Sequence, residues 1–465
     1  MPLTLIQELP ALEGKRVTVL GLGLFGGGLG VTRFLVRSGA RVTVTDAKSE
    51  AELRESVEQL RSLPVTLRLG GHEERDFRDA DLVIVNPAVS ESNPCLRLAR
   101  ALETEMNLFF KLCRAKRIIG VTGSNGKTTT TTLMGEILKQ HPGRAWVGGN
   151  IGVSLLESLP DIEPEHLVLL ELSSFQLENL GMIGRGPQVG VVLNLSPNHL
   201  DRHGTMENYV AAKRQLVAHR GCDTKVLNWD DAAVAAFAAA SPARNYYFSL
   251  KERPPAGAWA HDERIELSVP GGETVVDVSR RKIPGWFNLA NMAAAATATS
   301  SAALPTWDGW KAACEKVFNT FPGVEHRLEF VAEKDGVKYY NDSKATDAEA
   351  TLAALDTLPG PFVLILGGFD KKTPWESFAR AVADKPVRAA VLLGQTAPAI
   401  EAALRATSRP PDILRVATLE EAVRVPARPG ETVLLSPACA SWDMFRNFTE
   451  RGRLFKALVA ALAPR

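Results

Sequence analysis

Two glycine-rich turns, each between a β-branched run and a helix start, hold the residues of this sequence best suited to chemistry. The second reads Gly120-Val-Thr-Gly-Ser-Asn-Gly-Lys-Thr-Thr and ends at Thr129. A Gly-Lys-Thr at a helix N-terminus after a strand is a phosphate-binding loop, because unpaired backbone N–H groups and the helix dipole both favour an anion there. Lys127 would reach the β- and γ-phosphates of ATP, and the Thr128 hydroxyl would ligate Mg²⁺. Gly123, Asn125, Gly126 and Thr129 complete the ATP-binding set. The spacing is a variant, since five residues separate Gly120 from Gly126 and two separate Gly123 from Gly126. A plain glycine turn with a solvated lysine ranks below ATP binding, because strand, glycines, lysine and hydroxyl occur in the required order.

Glu171 sits just past the apolar run 167–170, and His199 and Asp201 follow the run 189–193. Ligand sites collect at such strand ends. Glu171 with Thr128 suits Mg²⁺, which prefers carboxylate and hydroxyl oxygens. His199 is a less usual ligand for that ion, and a hydrogen-bonded surface histidine is an equal reading. Lys213 falls on a predicted helix, where a solvated lysine is the default. The first turn, Gly21-Leu22-Gly23-Leu24-Phe25-Gly26, is followed by Asp46, 20 residues beyond Gly26. This is the dinucleotide-binding fingerprint, in which glycines admit a pyrophosphate and the acid bonds a ribose. Alone it predicts an NAD or FAD enzyme, with tight strand–helix packing as the plain alternative. Gly27, Gly28 and Gly30 would weaken the helix start or make room for a bulky ligand.

These groups need elements to hold them. Runs at 16–20, 41–45 and 81–85 read as strands, with helical spacing at 31–38. The pattern restarts with strands at 117–121, 167–170 and 189–193, and again after 321–323 with strands at 337–340, 362–366, 389–393 and 432–435. Strands alternating with helices imply parallel α/β sheets. Pro254-Pro255 and Pro270-Gly271-Gly272 mark loops. At about 150 residues per domain, the 465 residues allow two or three domains. Lys+Arg is 54 against 53 Asp+Glu, a net charge of +1 that argues against a nucleic-acid binder. Five scattered cysteines without a Cys-x-x-Cys pair suggest reduced thiols and a cytoplasmic protein. No signal peptide and no membrane span are expected from the sequence.

Taken together, the motifs resemble one family, the Mur ligases, ATP-dependent amide-bond-forming enzymes of peptidoglycan precursor synthesis. The carriers are GLGLFG, GVTGSNGKTTT, GGNIG (148–152), LELSSFQLE (170–178), NHLDRH (198–203), AAKRQL (211–216), HRLE (326–329), NDSKAT (341–346), GGFDKK (367–372) and SPACASWDMFRNFTERG (436–452). The resemblance spans nearly the whole chain. ELSSFQLE, NDSKAT and SPACAS point to the glutamate-adding member rather than to those adding alanine, lysine, diaminopimelate or a dipeptide.

The resemblance implies an α/β protein of three domains. These are a Rossmann-like domain for the UDP-substrate at 1–105, a central P-loop ATPase domain at 106–323, and a C-terminal Rossmann-like glutamate domain at 324–465. The nucleotide of the first turn is then UDP, with Leu24, Phe25 and Asp46 on its side and Asn150 near the muramoyl or pyrophosphate part. Lys127 holds ATP phosphates, and Thr128, Glu171 and His199 serve two Mg²⁺ ions, with His199 also beside the UDP-substrate. Lys213 matches the family's carbamylated lysine, whose CO₂ adduct is an oxygen ligand, which reverses the default reading. Asn288 and Asn291 match an adenine-side pair. Arg327 and Asp342 contact ATP from the third domain, and Lys344, Thr346, Lys371, Ser441 and Phe448 surround the glutamate. Phe25, Ala47, Ala88 and Trp442 depart from the family's usual residues. The implied substrates are UDP-N-acetylmuramoyl-L-alanine, glutamate and ATP, joined through an acyl phosphate, with closure about a hinge at 321–324. A monomer in the cytoplasm is expected. Two competitors stand beside this reading. A folylpolyglutamate-synthetase-like enzyme lacks a use for the first glycine turn with Asp46. A dinucleotide oxidoreductase or nucleotide sensor lacks a use for the phosphate loop, Glu171 and His199.

Overall fold

Three sheets organise the chain in the computed structural model, which describes residues 5, 11–23, 27–87, 89–90, 92–270, 272–300, 304, 308–370 and 373–462. The first holds β1 (Arg16–Leu20), β2 (Arg41–Asp46), β3 (Val65–Leu69), β4 (Leu82–Val85) and β5 (Leu102–Glu103). All five are parallel, in the order β3-β2-β1-β4-β5, the doubly wound arrangement. The helix Gly27–Arg37 makes the crossover from β1 to β2.

The second sheet has nine strands: β6 (Arg117–Thr122), β7 (Ala145–Gly149), β8 (Leu167–Glu171), β9 (Val189–Val192), β10 (Thr224–Asn228), β11 (Arg244–Ser249), β12 (Gly257–His261), β13 (Arg264–Val269) and β14 (Gly272–Asp277). Strands β6 to β12 run parallel in the order β7-β8-β6-β9-β10-β11-β12. Antiparallel β13 and β14 extend the edge. Pro254-Pro255 lies in a loop as expected, whereas Gly272 already belongs to β14 and Gly271 lies outside the described residues. β13 escapes a pattern search because it mixes buried and partly exposed residues near a sheet margin.

The third sheet holds β15 (Glu329–Lys334), β16 (Val337–Asn341), β17 (Phe362–Leu366), β18 (Val387–Leu392), β19 (Asp412–Arg415) and β20 (Thr432–Leu435). Its order is β15-β16-β20-β17-β18-β19, parallel except for the β15–β16 hairpin. Central β17 is buried on both faces. Phe362, Leu364 and Leu366 enter one apolar cluster with Phe378 and Ile400, while Val363 and Ile365 enter another with Phe455 and Val459.

The three sheets are distributed over two compact units. One comprises residues 1–279 and 290–318, the other 280–289 and 319–465. The first two sheets share the first unit, and one apolar cluster runs through both, from Val19 and Leu82 to Phe109, Leu155, Leu177 and Leu216. The boundary expected at 105/106 falls inside the helix Glu105–Leu112. Among the described residues no helix is long and apolar enough to cross a membrane.

Candidate active site

In the second sheet β6 lies between β8 and β9, so the chain connections diverge around it. Crevices form at such switch points, beyond the carboxyl ends of the strands. The loop after β6, the end of β8 and the stretch after β9 all emerge there. Glu171 lies level with Val121 in the β6–β8 register.

Neighbouring segments pin the loop. Ser124 N donates to Asn194 O at 2.9 Å and Asn125 N to Asn194 Oδ1 at 2.8 Å, while Asn194 Nδ2 donates back to Asn125 O at 3.0 Å. Ser124 Oγ donates to Ser196 O at 3.0 Å and stands 2.9 Å from the Tyr209 hydroxyl. Gly126, the residue before the helix Lys127–Leu138, has φ 84°, a left-handed conformation open to glycine. A Cβ there would strike Asn291 Oδ1, which accepts from Thr130 Oγ1 at 3.2 Å. Asn291, on the helix Trp286–Thr299, thus presses on the loop where its helix begins. Asn288, three residues earlier, donates to Pro284 O at 2.6 Å. Lys127 curls over its own loop, with Nζ donating to the carbonyls of Gly123 and Ser124, each at 2.9 Å. Thr128 is half-buried and Thr129 is buried.

Lys213 is buried, not solvated. It is 2% exposed, on the helix Met206–Ala218, and Nζ donates to Gly123 O at 2.9 Å and Thr122 Oγ1 at 3.3 Å. Burial, and then repulsion from Lys127, hold its pKa well below the usual ammonium value, with Glu171 pulling the other way. The neutral amine is therefore favoured. Glu171 is also 2% exposed. Its Oε1 accepts from Asn150 Nδ2 at 3.0 Å, whereas Oε2 is buried without a hydrogen-bond partner. Such an orphaned carboxylate oxygen is costly, and a cation is the chemistry that relieves it. Carboxylate and hydroxyl oxygens, which Glu171 and Thr128 carry, are the donors Mg²⁺ prefers, and an imidazole such as that of His199 is a less usual one.

His199 has φ 54°, an uncommon strained conformation for a residue with a side chain. It precedes the short helix Leu200–His203, and its ring stands edge-on to Phe175, with centroids 5.1 Å apart. Phe175 stacks on His203 and carries the Arg202 guanidinium 4.2 Å from its centroid. Arg202 in turn donates to Pro87 O.

In the first sheet Asp46 holds the glycine turn. Oδ2 accepts from Leu22 N at 2.9 Å and Gly23 N at 3.2 Å, and Oδ1 accepts from Lys48 N at 2.9 Å. The extra glycines make room for protein rather than for a bulky ligand, which corrects the sequence reading. A Cβ at Gly28 would strike Leu22 O, one at Gly30 would strike Ser154, and one at Gly27 would sit 3.0 Å from Glu105 Oε2. All three glycines lie within the helix Gly27–Arg37. Leu24, Phe25, Ala88 and Lys371 lie outside the described residues.

In the second unit a separate set gathers beyond the carboxyl ends of β16 and β20. Asp342 is 1% exposed. Its Oδ2 accepts from Ser436 Oγ at 2.9 Å and its Oδ1 from Leu328 N at 3.2 Å, with Arg327 Nη1 3.8 Å away. Burial pushes its carboxyl up to about 6, against Arg327 and these donors. The Lys344 ammonium lies 5.6 Å from the Phe448 ring centroid. Ser441 is buried and Thr346 half-buried, while Trp442 is 60% exposed beside Phe369. Sequence reasoning missed Arg451. It is buried and donates to Ser343 Oγ at 3.0 Å, Ser343 O at 2.8 Å and Cys439 O at 3.1 Å, tying the loop after β16 to the loop after β20. The available signal was a charge in an apolar stripe, because Arg451, Phe455 and Val459 recur at helical spacing.

Residues 15–107 match the family model described as Mur ligase MurD-like, N-terminal domain. Residues 121–299 match the Mur ligase middle domain, and residues 326–439 match the Mur ligase, glutamate ligase domain. A UDP-N-acetylmuramoylalanine–D-glutamate ligase of Roseiflexus sp. (strain RS-1) is 43% identical over 96% of this chain and 99% of its own. A protein of the same name from Symbiobacterium thermophilum is 44% identical over 97% and 98%. Among solved structures, the alanine ligase MurC from Thermotoga maritima matches with TM-score 0.64 at 19% identity, over 96% of this chain and 99% of its own. MurF from Thermotoga maritima in complex with ADP matches with TM-score 0.57 at 17% identity, over 91% and 96%.

Proposed function

The chain belongs to the Mur ligase family, ATP-dependent ligases of peptidoglycan precursor synthesis, and from that premise we propose that it joins D-glutamate to UDP-N-acetylmuramoyl-L-alanine. The observation that carries this reading is the cluster at the second glycine turn. Two lysines share the Gly123 carbonyl, and the Glu171 Oε2 atom is buried without a hydrogen-bond partner. Phosphoryl transfer needs positive charge, which Lys127 and bound metal would supply, around a loop of backbone donors.

The L-alanine carboxylate would attack the γ-phosphorus of ATP, with ADP leaving and an acyl phosphate forming. The glutamate amine would then attack the acyl carbon and expel phosphate. Lys127 would swing from its own carbonyls to the β- and γ-phosphates, and the Gly126–Thr129 N–H groups would hold phosphate oxygens. Two Mg²⁺ ions, held by Thr128, Glu171, His199 and the Lys213 carbamate, would supply charge neutralisation. For Lys213, an amine kept neutral by burial can add CO₂, releasing a proton and gaining a carboxylate. In the second unit Arg327 and Asp342 are assigned to ATP, and Lys344, Thr346, Lys371, Ser441 and Phe448 to glutamate. Reduced thiols at all five cysteines are in keeping with cytoplasmic work, and a monomer is part of this reading.

A ligation assay with UDP-N-acetylmuramoyl-L-alanine, ATP and each glutamate enantiomer tests the proposal. Product with D-glutamate supports it. Turnover with L-glutamate alone, or with folate substrates, would overturn it.

A further inference from the structure

The turn joining residue 325 to β15 carries Arg327 between two strained neighbours. His326 has φ 65° and Leu328 φ 44°, both left-handed and neither glycine. Such conformers persist only where the surroundings over-determine them. Leu328 N donates to Asp342 Oδ1 at 3.2 Å and Lys344 N to His326 O at 3.1 Å, and a carboxylate and an ammonium brace the rest of the turn. Glu329 Oε2 accepts from His326 N at 2.9 Å and from Asn341 Nδ2 at 3.0 Å, and Glu329 Oε1 accepts from Lys456 Nζ at 2.9 Å. Lys456 also donates to Glu325 Oε1 at 2.6 Å, so it spans both ends of the turn. Lys456 rides on the helix Phe448–Ala460, and one turn earlier Gly452 lets the His326 ring lie against that helix, where a Cβ would strike the ring.

Glu325, His326 and Glu329 bring three potential metal-ligating atoms within 4.8 Å of one another. The Lys456 ammonium already serves the two carboxylates. His326 Nδ1 lies 2.9 Å from the Asn341 amide, which donates to it and leaves Nε2 as the protonated nitrogen. The cluster is thus a salt-bridged clasp, with lysine in the place of a metal.

We propose that Glu329 and Lys456 are positioning residues that hold the 325–329 turn so that Arg327 is presented for ATP. This inference rests on the assignment of Arg327 to ATP. The clasp acts on a backbone that would otherwise relax from two left-handed residues, carrying the guanidinium away from its place beside Asp342. An ångström of displacement in a charged group that meets a reacting phosphate is enough to slow catalysis severely.

Full-length Lys456→Met, Lys456→Arg, Glu329→Gln, Arg327→Ala and the double variant Lys456→Met/Arg327→Ala form the test. Lys456→Met and Glu329→Gln raise KM for ATP about tenfold, with KM for the UDP-substrate unchanged. Lys456→Arg restores the ATP value. Lys456→Met adds nothing on top of Arg327→Ala, because both act on one interaction. An unchanged KM for ATP in Lys456→Met, equal losses for every substrate, or full additivity with Arg327→Ala overturns the positioning role. If Arg327→Ala alone leaves ATP kinetics untouched, the assignment of Arg327 itself fails, which is a separate result.

Discussion

Lys127 and Lys213 both donate to the carbonyl of Gly123, and that shared acceptor sets what each does when phosphate arrives. Lys127 has a second carbonyl and a long flexible stem, so it can leave. Lys127→Ala should cut ATP-dependent turnover by roughly a hundredfold or more, read in a coupled ADP assay. Lys213 is locked in place by burial, which disfavours its ammonium form. Lys213→Ala should abolish ligation, and a short carboxylic acid such as acetate should restore part of it by supplying the missing oxygens. Full activity of the alanine variant would sink the carbamate. Asp342 gives a prediction of opposite sign in stability. Its folded pKa, about 6, lies above the ordinary aspartate value of 3.8, so between those values the folded chain holds the extra proton. Stability from this group is therefore present at low pH and lost as pH rises through that window. Asp342→Asn should raise the melting temperature of the second unit at pH 7.5 by several degrees, and far less near pH 4, while activity falls. At this scale the residue types revealed Lys127, Thr128 and Glu171, because each sits at a strand end or helix start with chemistry to match. They did not reveal the burial of Lys213 or the clasp at Arg451. A long cationic side chain on a helix is solvated by default, and only packing says otherwise.

At the scale of elements, the strands that a reader finds are those buried on both faces. β4, β8 and β17 read as LVIV, LVLLE and FVLIL, near-continuous apolar runs whose ends can be placed within a residue. Among the strands that escape detection, β3, β13, β14 and β19 expose part of their length at a sheet margin, where polar residues are tolerated and the signal disappears, whereas β10 escapes although it is buried inside its sheet. Glycines behave differently again. Their number in the first turn was legible, but their purpose was not, because what a missing Cβ avoids is a neighbour distant in sequence. Gly28→Ala should destabilise the first unit by about 1–3 kcal/mol in denaturant titration, through collision with the Leu22 carbonyl. Gly126→Ala combines a left-handed φ with a collision at Asn291 Oδ1. It should weaken ATP binding more than it lowers stability, measured by calorimetric titration beside thermal melting.

For the whole molecule, the count of sheets and the count of cooperative units differ. Three sheets correspond to three family domains, yet the first two draw on one apolar cluster and the third has its own pair. Scanning calorimetry should accordingly resolve two transitions. Three separable peaks would mean that the cluster spanning the first two sheets does not couple them. The balance of 54 cations against 53 anions also takes on a different meaning at this scale. In the proposed function a few local cations at strand ends and bound metal would meet polyanionic substrates, and a whole-chain sum does not register them.

The helix Gly27–Arg37 shows what such coupling implies for inheritance. Gly27 and Gly30 lie against Glu105 and Ser154, and Arg33 and Arg37 pair with Glu157 at 3.7 and 3.3 Å. The N-terminal module is therefore not a free cassette. A chimaera that exchanges residues 1–105 with a sister ligase would import a helix fitted to another partner's surface. Viable recombinants should be those whose crossover carries the 154–157 segment along with the helix, so that the two surfaces travel through evolution as one linked block.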